Sequence, residues 1–224
     1  MSRAYDVITF DCYGTLVDWD SGISGWFRRV AAEAGREISR EEVLALYAEV
    51  EPRVEAGPYR SYRRVLTETA SEIGKRLGLA LAEERAATLA DSLPGWPAFA
   101  DTVPALERLS GAGHALAILS NVDEDLLATT LARLRVPIAW TVTAENVRSY
   151  KPAPGHFLAA RTRIGGARWL HAAQSFFHDI APASSLGIPT AWVNRKGERP
   201  PAGGPPPGLV VPTLAGLADV LAAG

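Results

Sequence analysis

Val7-Ile8-Thr9-Phe10-Asp11-Cys12-Tyr13-Gly14-Thr15-Leu16-Val17-Asp18 is an apolar run that ends in an aspartate and breaks at a glycine. Val7 to Phe10 reads as a buried strand, because β-branched and aromatic residues suit a sheet covered on both faces. Asp11 then stands at the carboxyl end of that strand. In open α/β sheets, ligands bind in the crevice outside those ends. Gly14 permits a sharp turn and close approach to a ligand. A carboxylate there has three possible roles: ion-pair partner, metal ligand or nucleophile.

Downstream of Asp18 the period changes to that of helices. Ile23, Trp26, Phe27, Val30, Ala31 and Ala34 recur at helical spacing, with Gly35 as a stop. Ser39, with Glu42 three residues on, opens a second helix and has the pattern of a capping box. A third helix carries Tyr62, Val65, Leu66, Thr69, Ala70, Ile73 and Leu77. A fourth runs from about Ala82 to Leu93. The spacing thus predicts an all-helical insert over residues 19–94, between two pieces of a core, 1–18 and 95–224. From Thr102 on, helices and short apolar strands alternate: strands at Ala115–Leu119, Ile138–Val142, Leu170–Ala173, Thr190–Val193 and Leu209–Val211, with helices at Pro154–Arg163 and His178–Leu186 among those between. That alternation implies βαβ units and a parallel sheet.

The bulk composition excludes several classes. Of 224 residues, 47% are hydrophobic and 21% charged, and the net charge is −2, so neither nucleic acid nor an acidic membrane surface is expected as a partner. No apolar run reaches the length of a membrane span. Met1-Ser2-Arg3-Ala4-Tyr5-Asp6 does not have the pattern of a signal peptide. The single cysteine, Cys12, has no partner for an internal disulfide and reads as a small buried hydrophobe. A cytoplasmic protein is expected.

Four polar spots follow strands of one sheet: Asp11, Ser120-Asn121, Lys151, and Ser175 with Asp179. Singly each is ordinary; Ser120-Asn121 is a good helix cap. Jointly they can reach one crevice. Phe10-Asp11-Cys12-Tyr13-Gly14-Thr15-Leu16, Leu119-Ser120-Asn121, Tyr150-Lys151-Pro152 and the Ser175/Asp179 segment, in that order, resemble the haloacid dehalogenase superfamily. The resemblance implies a Rossmann-like α/β core with an inserted helical cap. It also implies that Asp11 is a covalent nucleophile, that Ser120 binds a substrate oxygen, and that Lys151 keeps Asp11 ionised.

Magnesium-dependent phosphatases of the superfamily carry a second aspartate two residues after the nucleophile; here that position is Tyr13. They also carry a metal-side aspartate where this chain has Ser175. Both departures resemble the L-2-haloacid dehalogenase (type II) branch, as does Pro189-Thr190-Ala191-Trp192-Val193-Asn194-Arg195. The resemblance implies hydrolysis of short 2-haloalkanoic acids through an aspartyl ester, without metal or other cofactor. It casts Asp179 as the group that orients or deprotonates water, with Lys151 and Ser175 nearby, and Asn121 as a donor to the departing halide. Ser120 and the backbone N–H groups of Cys12 and Tyr13 would hold the substrate carboxylate. Phe176 and His178 occupy positions where the branch has asparagine and a bulky aromatic. The branch has a halide-binding arginine on the second cap helix; none lies between Glu41 and Glu51, and Arg40, Arg53 and Arg60 are the candidates to replace it. Trp19 and Tyr59 are the candidate pocket aromatics, whereas Trp26 and Tyr62 are read as core. Relatives in this branch are commonly homodimers. The alternatives are a phosphatase of a small metabolite and a catalytically silent binding protein.

Overall fold

A computed structural model describes residues 4–222 of the chain; Met1-Ser2-Arg3 of the N-terminal reading lie outside the described residues. Six strands form one parallel sheet: β1 (Val7–Phe10), β2 (Ala115–Ser120), β3 (Trp140–Thr143), β4 (Trp169–Ala173), β5 (Thr190–Val193) and β6 (Leu209–Val211). Their order is β3-β2-β1-β4-β5-β6. β1 is central, with Val7 level with Ala115 on one side and Trp169 on the other. The strand order reverses between β1 and β4, so the ligand crevice of such a sheet lies there. Asp11 follows one of these two strands and Asp179 the other.

Four helices intervene between β1 and the rest of the core: α1 (Trp19–Glu33), α2 (Arg40–Glu55), α3 (Tyr62–Arg76) and α4 (Glu83–Ser92). Their apolar stripes face one another; Ile23, Phe27, Val43, Leu66, Ile73 and Leu89 are buried in a cluster that continues into the core beneath β1. Each large aliphatic or aromatic side chain so buried contributes about 1.5–3 kcal/mol. The remaining helices cover the sheet: α5 (Thr102–Gly111), α6 (Glu124–Leu134), α7 (Ala144–Val147), α8 (Gly155–Ile164), α9 (Ala181–Ser185) and α10 (Leu214–Leu221).

Several local features differ from the sequence reading. At α2 only half of the capping box forms: Ser39 Oγ accepts the Glu42 N–H at 3.0 Å. The reciprocal box occurs at α7, where Thr143 and Asn146 satisfy each other's backbone N–H. The third strand starts at Trp140 rather than Ile138. The segment after β4 is a π turn, Phe176–Ile180, and only then α9. Pro182 lacks the N–H that would continue a regular α-helical ladder through this segment. No helix of the described residues is long and apolar enough to cross a membrane.

Candidate active site

β1 ends by presenting Asp11 to the crevice, and the next turn locks it. Asp11 is 7% exposed. Gly14 sits at φ +100°, and a Cβ there would lie 2.9 Å from Trp19 Nε1, so conformation and space both require glycine. The turn brings Thr15 back under the carboxylate. Thr15 Oγ1 donates to Asp11 Oδ2 at 2.8 Å and accepts the Gln174 N–H at 2.9 Å. The backbone N–H groups of Cys12 and Tyr13 have no protein acceptor among the described residues.

Lys151 reaches the same point from the loop after α7. Its ammonium donates to Asp11 Oδ1 at 3.0 Å, to Asp179 Oδ1 at 2.6 Å and to the Leu119 carbonyl at 2.9 Å. That uses all three of its protons. Asn121 grips the lysine backbone, accepting Lys151 N–H at 2.7 Å and donating to its carbonyl at 3.0 Å. One N–H of the Asn121 amide remains for a ligand. Burial pushes the Asp11 carboxyl up and Lys151 opposes it. Asp179 is held well below the ordinary carboxylate range: burial works against the charge, but Lys151 and His171 outweigh it. Asp179 Oδ2 is buried without a partner.

A relay of buried polar groups, missed by the sequence reading, supports Asp179 from behind. Trp169 Nε1–H can only donate, so Thr9 Oγ1 accepts it at 2.8 Å. The Thr9 hydroxyl proton then goes to His171 Nδ1, also at 2.8 Å. His171 Nε2–H is left to donate to Asp179 Oδ1 at 3.0 Å. The partners thus assign the tautomer. Inside the core, His156 faces the Ser120 carbonyl at 3.1 Å, and burial lowers its pKa to about 3. It is therefore neutral, and its Nε2–H donates to that carbonyl. Ser120 Oγ itself is buried and unpartnered.

Above these groups lies a cavity of about 290 Å³ between the sheet and α1–α3. Of the residues singled out from sequence, Asp11, Tyr13, Trp19, Ser120, Asn121, Lys151, Ser175, His178 and Asp179 line it. Tyr13 presents its ring while its hydroxyl turns away to Thr130 at 2.8 Å. Ser175 Oγ accepts the His178 N–H at 3.1 Å and pairs with His178 Nδ1 at 3.0 Å. Burial lowers the His178 pKa.

Cys12, Phe176, Tyr59, Arg40, Arg53 and Arg60 lie elsewhere. The Cys12 side chain is fully buried in the core, since it follows Asp11 and points the other way along the extended backbone; burial pushes its thiol up. Phe176, first residue of the π turn, packs edge-on against Trp192 at 5.2 Å. Tyr59 stacks on Tyr150 at 5.5 Å in a separate surface depression. The start of α3 is pinned beside it by Asp123, which accepts the N–H groups of Tyr62 and Arg63 at 2.8 and 2.9 Å. Arg40 is exposed and pairs with Asp20 at 3.6 Å. It opens α2, whereas the cavity is lined from Tyr47 onward, about 10 Å further along the axis at 1.5 Å per residue. Conversely Tyr62, read as core, lines the cavity with Tyr47, their hydroxyls 3.2 Å apart. Glu51 and Glu55 line it too. Their i,i+4 spacing from Tyr47 along α2 was the available signal.

The family model of haloacid dehalogenase-like hydrolases matches residues 5–178. The chain belongs to that family. Among individual relatives, an (S)-2-haloacid dehalogenase of Pseudomonas putida is 28% identical over 192 residues, covering 84% of each chain. An (S)-2-haloacid dehalogenase of Burkholderia cepacia is 27% identical over 203 residues, covering 85% of this chain and 84% of that one. A solved L-2-haloacid dehalogenase superposes with a TM-score of 0.84 at 25% identity, covering 97% of this chain and 98% of that one. The L-2-haloacid dehalogenase of Xanthobacter autotrophicus, solved with chloropropionic acid covalently bound, shares the fold at a TM-score of 0.84 and 20% identity, over 96% of this chain and 98% of that one. Within this hydrolase family, Asp11, Ser120, Lys151 and Asp179 surround one cavity at the strand ends, the crevice expected of the fold.

Proposed function

We propose that the chain hydrolyses a carbon–halogen bond alpha to a carboxylate, through an ester on Asp11 and without a metal. The observation that carries this reading is the Asp11 carboxylate itself, fixed by Thr15 and Lys151 at the floor of a cavity closed by α1–α3. In the first step a carboxylate oxygen of Asp11 attacks C2, the C2–halogen bond breaks with inversion, and halide leaves with the bonding pair. The Cys12 and Tyr13 N–H groups and Ser120 Oγ have no protein partners and are the donors for the substrate carboxylate. The spare N–H of Asn121 is a donor for halide.

In the second step water attacks Cγ of Asp11. The C2–oxygen bond stays intact, so the product hydroxyl oxygen comes from Asp11 and the water oxygen enters the carboxylate. Asp179 Oδ2, buried and unpartnered, is the acceptor that orients this water. Lys151 stays on Asp11 and stabilises the negative charge as it returns. Residues 19–94 act as the cap that excludes bulk water from both steps.

A magnesium ion, which phosphatases of the superfamily use, does not suit this donor set. Tyr13 is turned to Thr130, Ser175 to His178, and Asp179 shares Lys151 with Asp11. Among the described residues no three His, Cys, Asp or Glu side chains are grouped to hold a metal. Halide release from (S)-2-chloropropionate in EDTA tests the reading. Release supports it; its absence, with magnesium-dependent phosphate release from a model ester, replaces it with the phosphatase alternative.

A further inference from the structure

The roof of the cavity differs in chemistry from its floor. Glu51 and Glu55 sit one helical turn apart on α2 and both line the cavity. Glu51 meets only the Tyr62 hydroxyl, at 3.5 Å. Glu55 has neither a hydrogen bond nor an ion pair among the described residues. The nearby arginines are engaged elsewhere: Arg40 with Asp20, Arg53 with Glu49, and Arg60 with Glu68 and the Val54 carbonyl. Among the described lining residues, four carboxyl groups therefore face one ammonium: Asp11, Glu51, Glu55 and Asp179 against Lys151. His178, the remaining basic group in the wall, is held neutral by burial. Trp19, Tyr47 and Tyr62 supply aromatic rings to the same space. Ring faces and carboxylates both attract a cation.

A second observation identifies this cavity as a ligand site. Ser120 lines it and is 1% exposed, and its Oγ is buried with no partner. A buried hydroxyl is costly until something completes it. Resting on the function proposed above, we propose that the substrate carries an ammonium group at the end remote from its reacting carbon, seated between Glu51 and Glu55 and against the tyrosine rings. A bare 2-haloalkanoate would leave Glu51 and Glu55 without a charged partner. Burial raises the Glu51 carboxyl to about 7, and burial with repulsion from Glu51 raises Glu55 to about 9. The roof thus holds protons at neutral pH. A cation placed there favours the charged carboxylates, so its binding expels protons to solvent.

The test is calorimetry on the whole protein at pH 7, with propylammonium and propionate as probes, in two buffers of different ionisation enthalpy. Propylammonium should bind at least about tenfold more tightly than propionate, with net proton release. Glu55→Gln and Glu51→Gln, isosteric changes that keep the helix face, should each weaken amine binding and reduce proton release. Tighter binding of propionate, or amine binding without proton release or indifferent to both substitutions, overturns the proposal. Its failure is separable from failure of the dehalogenase reading. Chloropropionate turnover insensitive to propylammonium would refute the ammonium seat and leave the chemistry standing. Glutamate-dependent amine binding, with no halide released from any 2-haloacid, would do the reverse.

Discussion

Replacing Asp123 by alanine should loosen the helical insert from the core. The first three N–H groups of α3 have no acceptor within their own helix. Ser61 satisfies that of Arg64. Asp123, from the loop after β2, satisfies those of Tyr62 and Arg63 at 2.8 and 2.9 Å, and is only 4% exposed. Each bond to a charged acceptor is worth about 1.5–3 kcal/mol, so the pair is worth about 3–6. Part of that is returned because alanine no longer buries a carboxylate, which leaves a net loss of about 2–4 kcal/mol. Since ~1.4 kcal/mol is tenfold, the closed arrangement should weaken by a factor on the order of 10–10³. Asp125→Ala is the control: it removes an exposed ion pair to Arg63, worth about 0–1 kcal/mol. Amide hydrogen exchange at Tyr62 to Val65 reads the opening directly. Exchange in Asp123→Ala that matches the Asp125→Ala control would refute the latch.

Other outcomes follow from the same geometry. His171→Asn removes the donor behind Asp179; ester hydrolysis should slow by about 10–100-fold, the size typical of a lost orienting group, while ester formation is spared. Rapid-quench mass spectrometry should then show the Asp11 adduct accumulating, and loss of both steps in parallel would mark a merely structural role. The nucleophile must be ionised, and burial raises the Asp11 pKa, so kcat/KM should fall with decreasing pH through a value above the ordinary ~3.9 of aspartate. Thr15→Val removes a hydrogen bond to the charged form and should move that limb to still higher pH. Gly14→Ala should cost about 1–3 kcal/mol from its positive φ together with the clash on Trp19, read as a lower urea midpoint.

Much of this site was legible because strand ends are legible. A short apolar run that stops at a polar residue places that residue in the crevice, as at Asp11 and Ser120, and the segments beyond two further strands bring Lys151 and Asp179 to the same place. Tyr13 and Ser175, as departures from an acidic pattern, were equally plain. The Trp169–Thr9–His171 relay was not, because polar residues inside strands look like breaks in an apolar run until the pairing of β1 with β4 sets them side by side. Arg40 failed for a reason of length: α2 is long enough to carry its first residue well clear of the cavity its second half lines. The family pattern points to a cation there, whereas the helix presents Glu51 and Glu55. Tyr59 and Tyr62 exchanged roles because Asp123, remote in sequence, fixes how α3 starts.

The covalent role of Asp11 is tested most directly by a single turnover in ¹⁸O-water with enzyme in excess over (S)-2-chloropropionate, followed by mass analysis of the peptide containing Asp11. Attack of water on the ester predicts one ¹⁸O in the Asp11 carboxylate and unlabelled hydroxyl in the product. Label in the product hydroxyl, with Asp11 unlabelled, would mean that water displaces the halide itself and that Asp11 is no nucleophile.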